Sequence, residues 1–372
     1  MRKKRTSFIL ALITFSCVVF PFPLSVQASQ QSATKMPLDV TISNPYGVSE
    51  SNIDNVLSEI KTGIEQDKAQ NNQQVLSLNK ITDKNTTKAI YNYIVLDSSY
   101  VYSYEESPNQ NPQLNIQKVD LNSLHSIENL PTVSNNTYAN TISPTSLAAS
   151  NPSFVINDGI GGRQSIKQSG GYLSTMLHLP SDSQVQEEIA AYNYSGFSSG
   201  NYEADMGLLY DSTVGPGSTS KGWKPSMVVK KGTTVVSPSN LIAGYSSVQS
   251  ANAYASDSDV VLYVWHNYEG KARMKITGTA ICADQSCSHS QKTSLTTIME
   301  TASSSLNIAD VESWKLLSTV VSSSNKGKNK AIYSSIKIDG NPVSSLKFDT
   351  PLTEKATITR DSNNTVTITV SG

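Results

Sequence analysis

The sequence is poor in the residues on which most catalytic and metal sites depend. Its 372 residues include only four histidines and three cysteines, and no two histidines have the spacing of a metal-binding pair. Charged residues make up 16%, below the usual ~25%, while serine, threonine and asparagine are abundant. The formal net charge is −1, and no basic cluster follows the first residues. The lack of net positive charge and of a basic cluster argues against nucleic acid or an anionic membrane as the binding partner.

Long apolar runs are confined to the N-terminus. The basic residues 2–5 precede an apolar run from Phe8 to Leu24, and the segment Val26-Gln27-Ala28 supplies small residues for a cleavage site. This is the pattern of a secretory signal peptide covering residues 1–28. No later stretch is apolar for the ~20 residues that a membrane span needs. We therefore expect a secreted, extracellular protein, with the cell wall as a candidate location.

Cysteine is nearly absent from the rest of the chain. Only Cys282 and Cys287 remain after the leader, in the stretch "CADQSC". In an oxidising compartment, a close pair of this kind predicts a local disulfide. The alternative is a metal site completed by Asp284 and His289, but a structural zinc site needs four ligands, usually from two such pairs. We predict the disulfide.

The chain divides by composition into two parts. Residues 29–130 predict a small α+β region, with a helix at about 51–66 followed by a hairpin of "KAIYNYIVL" and "YVYSYEE". Residues 131–153 have the Ser/Thr/Asn/Pro composition of a linker. Residues 154–372 read as short strands separated by polar turns, with one modest helix signal at about 295–305. The sequence thus predicts a mainly β protein, in which a C-terminal antiparallel β-sandwich of jelly-roll or concanavalin-like type follows a small α+β region.

Two strands in the second part illustrate the pattern. The stretch "TVTITV" at 365–370 alternates apolar and polar residues, and we expect it to pair with "ATITR" across a four-residue turn. The stretch "DVVLYVWHNY" is apolar on both faces from Val260 to Trp265. That pattern predicts a central strand covered on both sides, with Trp265 in the core.

Six short motifs follow one another in the second part. They are "DGIGGR" (158–163), "YSGF" (194–197), "EADMG" (203–207), "WKPSM" (223–227), "WKLLSTV" (314–320) and "IKIDG" (336–340). In this order they resemble the YrpD-like family of secreted Bacillus-type proteins, over about residues 154–372. The resemblance implies a lectin-like β-sandwich. It implies no established reaction, so no catalytic residue is transferred from the family.

A pair of acids gives the leading candidate site. Glu203 and Asp205 are two residues apart on a predicted strand, so their side chains share a face, and Asn201 lies just before them. They fit a catalytic pair, a ligand or metal contact, or a solvated sheet face. Retaining sandwich glycosidases need a second glutamate further along such a strand. Here the corresponding positions are Gly207 and Leu208, so the catalytic pattern is incomplete.

Three further residues complete the candidates for ligand or metal binding. Trp223 begins "WKPSMVV" and has the side chain to stack on a sugar ring, although it shares a parity with Met227 that also suits the core. Asp257 and Asp259, in "SDSD" before a strand, have the chemistry of a calcium site. A polar turn explains this pair equally well. Apart from this calcium, the sequence predicts no cofactor.

The leading hypothesis is a non-catalytic protein that binds extracellular polysaccharide or cell-wall glycan. Glu203, Asp205 and Asn201 would bond sugar hydroxyls and Trp223 would stack on a ring. One alternative is a glycan hydrolase or lyase on the same sandwich. The other is a structural cell-surface or matrix protein.

Overall fold

The computed structural model describes residues 40–74, 89–107, 110–124, 159–211, 221–232, 236–245, 252–282, 293–302 and 306–372. These residues form one α-helix and twenty β-strands, which confirms the mainly β prediction. The predicted signal peptide and linker lie outside them. Among the described residues, no helix is both long enough and apolar enough to span a membrane.

The helix α1 is Glu50–Gln74. The strands are β1 (Thr41–Ser43), β2 (Ala89–Leu96), β3 (Tyr100–Glu106), β4 (Gln113–Lys118), β5 (Gly159–Ile166), β6 (Tyr172–His178), β7 (Ala190–Ser199), β8 (Tyr202–Asp211), β9 (Gly222–Lys231), β10 (Leu241–Tyr245), β11 (Asn252–Tyr254), β12 (Asp259–Tyr268), β13 (Lys271–Cys282), β14 (Ser294–Thr301), β15 (Ser313–Val321), β16 (Lys328–Ile338), β17 (Asn341–Pro342), β18 (Leu352–Glu354), β19 (Ala356–Arg360) and β20 (Val366–Ser371).

The strands form two sheets that meet at one point. Sheet I has the order β4-β3-β2-β14-β13-β12-β6-β16-β20-β19, with β1 added beside β4 and β17 beside β16. Sheet II has the order β18-β5-β15-β7-β8-β9-β10. Strand β11 pairs with both β9 and β13 and so joins the sheets. Pairing is antiparallel except for β1 with β4 and β2 with β14.

The inner faces of the two sheets pack against each other. Phe197 and Trp314 of sheet II lie edge-on to His266 of sheet I, with ring centroids 6.1 and 6.3 Å away. The hydroxyl of Tyr333 in sheet I donates to the backbone carbonyls of Tyr194 and, 2.6 Å away, Leu317 in sheet II. The layers therefore share one core. The jelly-roll or concanavalin type of the sandwich stays a prediction.

The N-terminal elements extend sheet I rather than standing apart from it. The predicted hairpin is present as β2 and β3, and β2 pairs in parallel with β14 over eight residues, from Ala89 opposite Ser294 to Leu96 opposite Thr301. Helix α1 covers this part of the sheet because its apolar stripe, which includes Ile60 at 0% exposed, packs on strands β2 to β4. The region predicted as a small separate α+β unit thus belongs to the same sheet as the later strands.

The modest helix prediction at about 295–305 is wrong, because β14 occupies residues Ser294–Thr301. This strand lies between β13 and β2 and is buried over seven of its eight residues. A strand covered on both faces has no alternation, so its apolar run resembles a buried helix.

Candidate functional site: an aromatic surface and a charged cleft

The acids of β8 stand side by side on the outer face of sheet II, but they contact a lysine of the adjacent strand β9 and a lysine of β15, which lies beyond β7. Glu203 Oε2 lies 3.2 Å from Lys230 Nζ, and Asp205 Oδ1 lies 2.9 Å from Lys315 Nζ. Asp205 is 4% exposed and Lys315 is 1% exposed. These charges therefore stabilise one another within the protein.

The remaining members of the predicted glycan site do not join these acids. Asn201 is exposed in the turn between β7 and β8. Trp223 is completely buried and packs on Tyr210, with ring centroids 5.2 Å apart. Because Trp223 pairs with Tyr210 in the sheet whereas Lys230 pairs with Glu203, the tryptophan points to the inner face. The expectation that Trp223 contacts a ligand is thus corrected by its position in the core.

The predicted calcium residues flank a histidine. His178 Nδ1 lies 2.8 Å from Asp259 Oδ1, and His178 Nε2 lies 3.6 Å from Asp257 Oδ1. In the part of the chain that the structure describes, no three or more His, Cys, Asp or Glu side chains are arranged to hold a metal ion. Calcium at Asp257 and Asp259 stays a prediction.

The two cysteines are only partly described. Cys282 is the last residue of β13, whereas Cys287 lies outside the described residues. The disulfide between them stays a prediction.

An aromatic surface lies on the outer face of sheet I. It consists of four half-buried side chains, Tyr172, Tyr263, Trp265 and Tyr268. Strand β12 alternates strictly, with Val260, Leu262 and Val264 buried below and Val261, Tyr263 and Trp265 half-buried above. The prediction that Trp265 belongs to the core is therefore wrong. A strand with large apolar residues on both sides looks fully covered in sequence even where one side faces solvent.

The rings of the aromatic surface contact one another. The rings of Tyr263 and Trp265 are stacked, with centroids 5.5 Å apart and planes inclined by 14°. Tyr172, opposite Trp265 in the pairing of β6 with β12, lies 5.8 Å from it, and Tyr268 lies 5.6 Å away on the other side. Burial raises the pKa of Tyr263, with Tyr172 contributing further. Its hydroxyl thus remains a hydrogen-bond donor.

A cleft of about 350 Å³ adjoins the aromatic surface through Tyr268. This charged cleft lies between α1 and sheet I and is lined by Asn55, Ser58, Glu59, Thr62, Gly63, Gln66, Tyr93, Tyr268, Glu269, Lys271, Arg273 and Glu300. Lys271 Nζ bonds the carboxylates of Glu59 and, at 2.7 Å, Glu300. Lys271 therefore links the helix to strand β14.

Arg273 and Tyr93 form the floor of the charged cleft. Arg273 Nη1 lies 3.6 Å from Glu300 Oε2, and its guanidinium carbon lies 4.0 Å from the centre of the Tyr268 ring. Burial raises the pKa of Tyr93, and the carboxylate of Glu300 raises it further. Gly63 lets the helix approach this floor, because a Cβ there would lie 2.2 Å from the Tyr93 hydroxyl.

The charged cleft was not predicted from the sequence. Glu59 and Lys271 are 212 residues apart, and nothing local marks either residue as a partner of the other. For the aromatic surface a signal was present, since Tyr263 and Trp265 are two residues apart and thus share a face of β12.

Comparison with known proteins identifies the family. Residues 153–370 match the model described as "Domain of unknown function, YrpD". The chain belongs to the YrpD family. The uncharacterized protein YrpD of Bacillus subtilis (strain 168) is 30% identical over 222 residues, which cover 58% of this chain and 83% of that protein. This confirms the family that the six motifs indicated.

Two solved structures show a distant likeness to this YrpD-family chain. Scytalido-glutamic peptidase with a transition state analog inhibitor has a TM-score of 0.35 and 8% identity, and SCP-B, an eqolisin-family peptidase in complex with a tripeptide, has 0.33 and 10%. Each likeness covers 58% of this chain and 99% of the other. At these TM-scores the likeness carries no argument about activity.

Proposed function

We propose that the protein is secreted and binds extracellular polysaccharide or cell-wall glycan without catalysing a reaction. The aromatic surface is the binding site in this proposal. The signal-peptide pattern at residues 1–28 supports the extracellular location.

The partly exposed, mutually contacting rings of the aromatic surface carry the proposal. Tyr172, Tyr263 and Trp265 have centroids 5.5 to 6.3 Å apart on the outer face of the sheet. A contiguous apolar patch on the surface, rimmed by polar residues, is typical of an interaction or ligand-binding site. Tyrosine and tryptophan also combine an apolar ring with a polar tip. A sugar ring needs both features, because it offers apolar C–H faces and a rim of hydroxyls.

Polar side chains border the aromatic surface on the side of β16. Ser174 lies opposite Tyr263, and Lys337 of β16 lies opposite Ser174, so all three share the outer face. Lys337 is exposed, and Ser334, which lies opposite Met176 in the same strand pairing, is half-buried. These groups could bond the hydroxyls of a sugar that stacks on the rings.

The acids of β8 do not contribute to this site. A hydrolase would need two carboxyls on either side of a glycosidic bond, and Asp205 is buried against Lys315. The hydrolase or lyase alternative thus loses its best candidate residues. The structural-protein alternative predicts neither retention on a glycan nor release of sugar.

A sedimentation assay tests the proposal. The secreted protein is mixed with insoluble polysaccharides and purified cell wall, with calcium and with a chelator, and the supernatant is assayed for released sugar. Retention without release is the expected result, and a loss with chelator would assign a role to Asp257 and Asp259. Release would establish an enzyme, and absence of both would favour a structural protein.

A matched pair of variants locates the site. Tyr263→Ala with Trp265→Ala removes the stacked pair and should abolish retention. Tyr46→Ala, which removes a 44%-exposed tyrosine beside Lys118 on another part of the surface, should leave retention unchanged. Equal retention by the wild type and both variants would mean that the binding site lies elsewhere.

A further inference from the structure

Arg273 in the charged cleft is a buried cation with an unused donor. The residue is 3% exposed, and its Nε has no hydrogen-bond partner among the residues that the structure describes. Its contact with Glu300, at 3.6 Å, is longer than a hydrogen bond. A buried N–H that bonds nothing costs free energy, and the cost is larger on a charged group. Since Arg273 also lines the charged cleft, its guanidinium is placed to donate to a ligand in that cleft.

The other cation of the cleft is already occupied. Lys271 Nζ already donates hydrogen bonds to the carboxylates of Glu59 and Glu300. The five N–H donors of Arg273 lie in a rigid plane, and their geometry matches that of a carboxylate. Glu269 is exposed at the rim and opposes the approach of an anion. Binding must therefore come from direct bonds to Arg273 rather than from the overall charge of the cleft.

The charged cleft continues the aromatic surface. Tyr268 contacts Trp265 on one side and lies under the Arg273 guanidinium on the other. The guanidinium carbon is also only 6.0 Å from the centre of the Trp265 ring. A volume of about 350 Å³ is within the range of small-molecule sites. A polymer that stacks on Trp265 can thus extend one unit into the cleft.

We propose that the charged cleft binds the carboxylate of a uronic-acid unit through Arg273, so that the preferred ligand is an acidic polysaccharide. This inference rests on the proposed function, because the aromatic surface holds the neighbouring units. Asn55, Ser58 and Thr62 of α1 line the opposite wall and supply polar groups to the sugar hydroxyls.

Esterification of the ligand tests the inference with the unaltered protein. Binding to polygalacturonate, to its methyl ester and to a neutral glucan is measured by affinity electrophoresis. A charge-assisted pair should make the free acid bind about 10-fold more tightly than the ester, or better. Equal binding of acid and ester would overturn the carboxylate inference and leave glycan binding intact. No binding to any of the three would overturn both.

A competition arm distinguishes the source of the carboxylate. Galacturonate should displace polygalacturonate, and a short neutral peptide with a free C-terminus should not. Displacement by the peptide alone would overturn the uronic-acid assignment.

Two arginine variants provide the matched control. Arg273→Gln should bind acid and ester equally, because the fork is gone while the rings remain. Arg360→Gln removes a guanidinium that also lies over a ring, 4.6 Å from the centre of Phe348, at the far edge of sheet I. This control should keep the preference for the acid. A preference that survives Arg273→Gln would contradict the proposal, and if that variant does not fold, the esterification test decides.

Discussion

The outer faces of the two sheets differ in how far their side chains are exposed to solvent. On sheet II the charges of Asp205, Lys230 and Lys315 are nearly inaccessible to solvent. On sheet I, beside the charged cleft, the rings of Tyr263 and Trp265 are partly exposed. The usual expectation places charges in water and rings in the core. The difference indicates that the charges on sheet II stabilise the fold, whereas the rings on sheet I are available to a ligand.

The largest effect is expected on the charged face of sheet II. Lys315→Met leaves Asp205 buried without this cation, and breaking such a pair costs about 3–5 kcal/mol of unfolding free energy. Chemical denaturation measures it. The control is Lys337→Met, at an exposed lysine of β16, which should stay within about 0.5 kcal/mol. Equal stability of the two variants would mean that the buried pair is dispensable.

The next-largest effect on stability is expected where α1 packs against sheet I. Gly63→Ala should gain about 1 kcal/mol in helix propensity but lose about 1–3 kcal/mol because the new Cβ overlaps Tyr93. We expect a net loss of stability in thermal or chemical unfolding. Thr62→Ala, the adjacent exposed position, should be neutral or slightly stabilising. A Gly63→Ala protein more stable than the wild type would show that the helix does not lie this close to Tyr93.

The aromatic surface should matter little for stability. Tyr263→Ala should cost about 1 kcal/mol or less, while retention on polysaccharide falls strongly. Tyr333→Ala, on the inner face of the same sheet and 0% exposed, should cost about 3–5 kcal/mol. If both tyrosines cost the same, the outer rings would be part of the core and not a binding surface.

The smallest effect concerns an exposed carboxylate at the end of sheet II. Hydrogen bonds from Ser322, Ser323 and Ser324 lower the pKa of Glu188 from 4.5 to about 2. A group whose pKa is lower in the folded state stabilises the fold above its unfolded pKa and loses that effect as the pH falls. Glu188→Gln should therefore be less stable than the wild type at neutral pH, and the difference should shrink between about pH 4.5 and pH 2.

Ser323→Ala serves as the graded control for Glu188, because it removes one of several donors to that carboxylate. It should give a smaller loss with the same dependence on pH. A Glu188→Gln difference that is constant from pH 7 to pH 2 would contradict the role of the serines.

Sequence patterns predicted the helices and strands of this fold better than they predicted which elements lie next to one another. The apolar stripe of α1 and the alternation in β19 and β20 are local patterns. The helix and the strand pair that they predict are both confirmed. The parallel pairing of β2 with β14 was not predicted, because it joins segments about 200 residues apart. Local periodicity carries no information about which distant strand is the neighbour.

The candidate site shows the same limit at the level of single residues. The shared face of Glu203 and Asp205 was predicted from their spacing, but their burial depends on lysines from β9 and β15. The inward position of Trp223 agrees with its parity, and the outward position of Trp265 does not follow from its apolar neighbours. Whether a sheet face is covered is decided by the rest of the chain.

The accessibility of the tryptophans tests the central claim most directly. The chain has three tryptophans; Trp223 and Trp314 are 0% exposed, and Trp265 is half-buried on the aromatic surface. Acrylamide should therefore quench only the Trp265 fluorescence in the free protein, and Trp265→Phe should remove the quenchable fraction. A saturating polysaccharide ligand should protect that fraction. If a polysaccharide binds and Trp265 stays as quenchable as before, the aromatic surface is not the binding site.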